Sequence, residues 1–70
     1  MKLSARNQLR GKVKSITHGA INSEVVIEIA PGIEIHAQIT TAAVHDLKLK
    51  EGATAYAIIK TDNVMVGVEA

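Results

Sequence analysis

Two apolar stripes meeting at Pro31-Gly32 constrain this chain more than any other part of it. Before the turn, Val25, Ile27 and Ile29 recur at every second position; after it, Ile33, Ile35, Ala37 and Ile39 do the same. Successive side chains of an extended backbone point to opposite faces, so a period of two puts each set on one side of a strand. Proline fixes its own φ and glycine accepts a positive one, which makes Pro-Gly a strong turn signal. Residues 22–30 and 33–40 are therefore predicted to pair as a hairpin. Its other face carries Val26 and Glu28 on one strand and Glu34, His36 and Gln38 on the other, and is expected to be wet.

The flanking segments extend the pattern. A first strand is expected over residues 9–17, where Arg10-Gly11-Lys12 and the step from Val13 to Ile16 interrupt strict alternation and predict a bulge or an edge position. His18-Gly19-Ala20 reads as a turn. After residue 40 the period changes: a threonine can cap a helix start, and Val44 and Leu47 fall three apart on one side of a short helix. Glu51-Gly52 is the next turn, and residues 53–60 alternate as a fourth strand. Thr61-Asp62-Asn63 then turns the chain, and Val64, Val66 and Val68 predict one face of a fifth strand. Five short strands with one helix between the third and fourth point to an all-β fold. The expected architecture is a Greek-key barrel of the oligonucleotide/oligosaccharide-binding (OB) type, one domain over residues 1–70.

Such a barrel has a thin core here. The apolar residues of this 70-residue chain are Val, Ile, Leu and Ala with few others; Tyr56 is the one aromatic, and Cys is absent. Burial contributes roughly 25 cal/mol per Å² of apolar surface, against about 1.5 kcal/mol to order each residue. With no disulfide or thiolate metal site available, association of subunits is the remaining staple, and a homo-oligomer is expected. Met1-Lys2-Leu3-Ser4 leads into polar residues rather than an apolar signal segment, and no run is long enough to span a bilayer. A cytoplasmic protein without a membrane partner is the expectation. A net charge of +1 gives no electrostatic case for nucleic acid.

Function is carried by few residues. Ser4-Ala5-Arg6-Asn7-Gln8 groups a hydroxyl, a guanidinium and two amides without a carboxylate. Its readings are a solvated terminal arm or a set of donors for an anion. Lys60 is either a solvated strand-end lysine or a second cation for that anion; Thr40 and Thr41 are plain caps, anion donors, or both. His18, His36 and His45 fall in three different elements without metal-ligand spacing, so no direct cation ligands are assigned. No catalytic triad, paired carboxylate or phosphate loop stands out, and no enzyme activity is expected. The rival from another class is an RNA or single-stranded nucleic-acid module, for which one tyrosine makes a poor stacking platform.

Four stretches in order, Ser4-Ala5-Arg6-Asn7-Gln8-Leu9-Arg10-Gly11, Ile39-Thr40, Leu49-Lys50-Glu51-Gly52 and Ala55-Tyr56-Ala57-Ile58-Ile59-Lys60, resemble the molbindins. These are small cytoplasmic molybdate-binding proteins, also called molybdenum-pterin-binding proteins. The resemblance covers essentially the whole chain, leaving no part for the DNA-binding or ATPase domains to which the same module is joined elsewhere. It implies a homohexamer, a trimer of dimers, holding molybdate or tungstate at subunit interfaces for molybdenum storage and homeostasis. The family's binding positions match Ser4, Ala5 (through its backbone) and Arg6 from one subunit, with Thr40 and Lys60 from a neighbour. Ala43 stands where many relatives have serine, which removes a hydroxyl but keeps a backbone N–H. A second class of anion site is implied, with the turn containing His18, Gly19, Ala20 and Asn22 as its candidate.

The ligand's chemistry suits these residues. Molybdate at neutral pH is a dianion without protons, so its oxygens only accept hydrogen bonds. A pocket of donors with two cations matches it, and disfavours monohydrogen phosphate, whose proton needs an acceptor.

Overall fold

The computed structural model describes residues 1–69. In chain order these form β1 (Asn7–Thr17), β2 (Asn22–Ala30), β3 (Ile33–Thr40), a helix α1 (Thr41–Asp46), β4 (Thr54–Ile59) and a 3-10 turn at Thr61–Asn63. One antiparallel sheet holds all four strands in the order β3-β2-β1-β4. The hairpin forms with the expected bounds, and Gly32 takes the left-handed conformation the turn requires, φ +78°. The fold is all-β and OB-like, with its one α-helix between the third and fourth strands.

β1 is the member that curls the sheet. Its first half pairs with β4, from Asn7↔Ile59 to Lys12↔Thr54, and its second half with β2, from Lys12↔Glu28 to Thr17↔Glu24. It is thus a central strand rather than an edge. The expected bulge is present: the register with β2 shifts between Val13 and Ser15, leaving Lys14 as the extra residue. A bulge bends the strand and raises its twist, which suits a strand that changes partners half-way. At Gly11 the β2 backbone comes close enough that an added Cβ would meet the Glu28 carbonyl oxygen.

The inward faces meet in a core of Val13, Val25, Ile27, Val44 and Ala57, with Leu9, Ile16, Ile29, Ile35, Ile39 and Leu49 packed around it. The helix contributes Val44. Its start is fixed by Thr40, whose hydroxyl oxygen accepts from the backbone N–H of Ala43 at 3.1 Å. Leu47, expected on the same side as Val44, is exposed at the rim of an open groove. No helix among the described residues is long and apolar enough to cross a membrane.

The fifth strand expected from Val64, Val66 and Val68 is not formed. Residues 64–69 carry no regular structure, and Val66 and Val68 are 92% and 91% exposed. Alternation makes a segment suitable for a sheet, but a strand exists only where a neighbour completes its ladder. Both sides of β1 are occupied, and the chain does not return along β4 after the 3-10 turn. The barrel of one chain therefore stays open between the edges of β3 and β4.

On the wet face the Lys14 ammonium donates to the Glu34 carboxylate across the width of β2. This hydrogen bond, followed by desolvation acting the other way and by the charge of Lys14, holds the Glu34 carboxyl below its ordinary 4.5. The same bond raises Lys14 above 10.5. A depressed carboxyl stabilises the fold above its unfolded pKa, and that contribution is lost as pH falls through the folded value. The lysine's share is complete below 10.5 and is lost as pH rises through its raised value. Both groups are exposed, so the effect is small. Melting curves between pH 7 and pH 3, at one protein concentration, are expected to fall less steeply for Glu34→Gln than for the parent chain. Parallel curves for the two proteins would remove this pair from the acid response.

Candidate functional site

The residues singled out by sequence gather at two places. The first is the β1–β4 end. Ser4, Ala5 and Arg6 run into β1, and the last pair of the β1–β4 ladder is Asn7↔Ile59, so Arg6 and Lys60 are the residues just beyond that pair at one end of the sheet. Gln8 donates its side-chain amide to the Ala5 carbonyl at 2.7 Å and folds the arm back on the strand. Ser4, Arg6 and Lys60 are exposed and Ala5 is half-buried. Among the described residues Lys14 forms an ion pair with Glu34, and the His36 ring lies between the Glu24 and Glu34 carboxylates, at 3.9 and 3.7 Å; none of these contacts involves Arg6 or Lys60. Asp62, the nearest acid along the chain, sits in the 3-10 turn and pairs with neither.

The second place is the far end of β1, where Thr17 pairs with Glu24 and Asn22 pairs with Thr40. Here Thr40 and Ala43 lie beside the turn of His18, Gly19, Ala20 and Asn22. The Thr41 N–H donates to the Ile21 carbonyl at 2.8 Å. The Thr41 hydroxyl donates to the Gly19 carbonyl at 2.8 Å, and its oxygen is 2.7 Å from that of Ser23. Since the single Thr41 proton is used on Gly19, Ser23 is the donor of that shared bond, and it accepts from the Gly19 N–H at 3.4 Å. The rings of His18 and His45 stack alongside, with centroids 6.4 Å apart.

One chain thus brings Arg6 together with Lys60 and brings Thr40 together with Ala43, but sets the two groups at opposite ends of β1. Lys60, grouped with Thr40 in the family-based expectation, stands within one chain at the Arg6 end of the β1–β4 ladder. Ser23 is the residue that sequence reasoning left out, although with Thr41 it ties the turn to the helix start. A signal for Ser23 was present: it is the polar member of the inward phase 23, 25, 27, 29 and is only 1% exposed. No group of three His, Asp or Glu side chains among the described residues is placed to hold a metal ion.

The family model for the TOBE domain matches residues 3–66. The chain belongs to the TOBE-domain family. This TOBE chain is 54% identical over 69 residues to a probable molybdenum-pterin-binding protein of Haemophilus influenzae, covering 99% of this chain and 100% of the relative. Its fold superposes on MopII from Clostridium pasteurianum with a TM-score of 0.88 at 43% identity, over 96% of this chain and 100% of that one. It also superposes on the cytoplasmic molybdate-binding protein ModG, in a form with molybdate bound, with a TM-score of 0.91 at 49% identity. That match spans 99% of this chain and 49% of ModG. The resemblance to the molbindins therefore holds in sequence and in fold.

Proposed function

We propose that this chain binds molybdate or tungstate at the subunit interfaces of a homohexamer, a trimer of dimers, and serves as a non-catalytic cytoplasmic store that steadies molybdenum supply. The observation that supports this reading is that Arg6 and Lys60 lie just beyond the last pair, Asn7↔Ile59, at one exposed end of the β1–β4 ladder, with neither cation paired to a carboxylate among the described residues. Two fixed positive charges balance a dianion, and the Ser4 hydroxyl and Ala5 N–H add neutral donors. A neighbouring copy completes the pocket with its Thr40 and Ala43, which one chain holds at the other end of β1. The Thr40 oxygen accepts from Ala43, so the Thr40 proton is left to give to the anion. At position 43 the backbone N–H is given to Thr40, so Ala43 shapes the helix start of the pocket without the hydroxyl that a serine supplies. The turn of His18, Gly19, Ala20 and Asn22 is the candidate for a second class of site. The molybdate bound to ModG supports the choice of ligand.

Native mass spectrometry with and without molybdate tests assembly and binding in one measurement. The expected result is a hexamer that gains a whole number of oxyanions. A chain that stays monomeric, or an oligomer that remains free of anion at saturating molybdate, overturns the reading.

A further inference from the structure

Ser23 is the buried polar side chain among the described residues, 1% exposed on the inward phase of β2. Its hydroxyl belongs to a closed run of three hydrogen bonds: the Gly19 N–H donates to Ser23, Ser23 donates to Thr41, and Thr41 donates to the Gly19 carbonyl. Both ends of the run are backbone groups of one residue. An N–H can only donate and a carbonyl can only accept, so the direction of the run is fixed and both hydroxyl protons are used inside it. The turn is closed tightly around the run, since a Cβ added at Gly19 runs into the Asn22 carbonyl oxygen.

Thr40 and Thr41 are therefore unlike, although adjacent and of one type. Thr40 is exposed, its oxygen accepts from the Ala43 N–H, and its proton is uncommitted. Thr41 is half-buried, with its proton given to Gly19. The helix that follows has six residues, below the roughly 12 that hold a helix without outside support. Its ties to the sheet include Val44 in the core, the Thr41 N–H on the Ile21 carbonyl, and the Thr41 hydroxyl in the run. Two of these act through Thr41, at the joint where β3 passes into the helix. A binding group is effective when neighbours with locked rotamers hold it within roughly 0.5 Å of its productive position, and Thr40 stands directly beside that joint.

We infer that Ser23 and Thr41 are positioning residues of the oxyanion site: their run through Gly19 holds the helix start at the angle that aims the Thr40 hydroxyl at the anion, and neither of their own hydroxyls touches the ligand. The inference rests on the reading of Thr40 as an anion donor. It divides the labour between the two threonines, one giving its proton to the ligand and the other giving its proton to the scaffold. A buried hydroxyl in a core this thin is costly unless satisfied. Here its satisfaction fixes the joint on which the site depends, which an alanine at position 23 does not do.

Titration calorimetry with sodium molybdate tests this, on variants whose oligomer mass and circular dichroism match those of the parent. Thr41→Val keeps the shape and loses the hydroxyl, and its molybdate Kd is expected to rise roughly tenfold, the equivalent of about one hydrogen bond. Ser23→Ala opens the run from its other side and is expected to act likewise. Thr41→Ser restores the hydroxyl and is expected to bring the affinity back to within about twofold of the parent. The double variant separates positioning from direct contact. In a chain already carrying Thr40→Ala, adding Thr41→Val is expected to weaken binding by less than about twofold more, because residues that act through one another are not additive. A further loss of about tenfold there makes Thr41 a direct donor and overturns the inference. Single variants that melt lower yet bind molybdate as tightly as the parent overturn it too, since the run is then a brace for the fold alone. A parent chain that binds no molybdate overturns the reading of the site itself.

Discussion

Replacing Arg6 with alanine is expected to weaken molybdate binding by roughly 10- to 100-fold while leaving the four strands folded. A hydrogen bond to a charged group contributes about 1.5–3 kcal/mol, and 1.4 kcal/mol is about a factor of ten in affinity. The guanidinium offers a planar fork of donors and a permanent charge, both directed at an oxyanion that can only accept. Arg6→Lys keeps the charge and loses the fork, so its affinity is expected between those of the parent and of Arg6→Ala. The strands stay because Arg6 precedes β1, is exposed, and makes no ion pair among the described residues. Titration calorimetry measures the affinity, and circular dichroism checks the sheet. Unchanged binding in Arg6→Ala removes this residue from the site.

The largest expected effect on stability comes from a residue that touches no ligand. A Cβ built on Gly11 meets the Glu28 carbonyl oxygen at 2.5 Å and the Ile27 Cγ2 at 2.9 Å. The oxygen belongs to the backbone of the neighbouring strand, so it yields only if β1 and β2 separate. Overpacking of this kind costs about 1–3 kcal/mol, and in a domain this small each kcal/mol lowers the melting midpoint by about 4–8 °C. Gly11→Ala is therefore expected to melt about 5–20 °C below the parent at equal protein concentration. Gly67→Ala is the control, since nothing lies within 4 Å of its added Cβ. Equal midpoints for parent and Gly11→Ala rule out the close strand approach.

Both results turn on strand register, which sequence reveals unevenly. The hairpin of β2 and β3 was legible to the residue because its partners are adjacent in the chain and a Pro-Gly turn fixes where they meet. The helix start was legible through Thr40, a residue type whose hydroxyl competes for the first free N–H groups. The partners of β1 were not: its first half pairs with β4, over forty residues away, and local alternation says nothing about that choice. That Arg6 and Lys60 fall at the same end of the sheet follows from the same distant register. Val64, Val66 and Val68 show the converse limit. Their alternation is a true strand pattern, but pairing is a property of two segments, and no neighbour completes their ladder here. Ser23 was overlooked for a different reason: a lone hydroxyl among aliphatic residues reads as a weak point in the core until Thr41 and Gly19 are seen to satisfy it.

The extra residue in β1 has a consequence for spacing. Leu9, Gly11 and Val13 point inward at odd positions, and beyond the bulge Ile16 points inward at an even one. A chain lacking Lys14 altogether would keep every one of these side chains on the same side as before. That single position therefore serves curvature and one surface contact: removing it would preserve the inside-outside code of the strand, straighten its path, and deprive Glu34 of its ammonium partner.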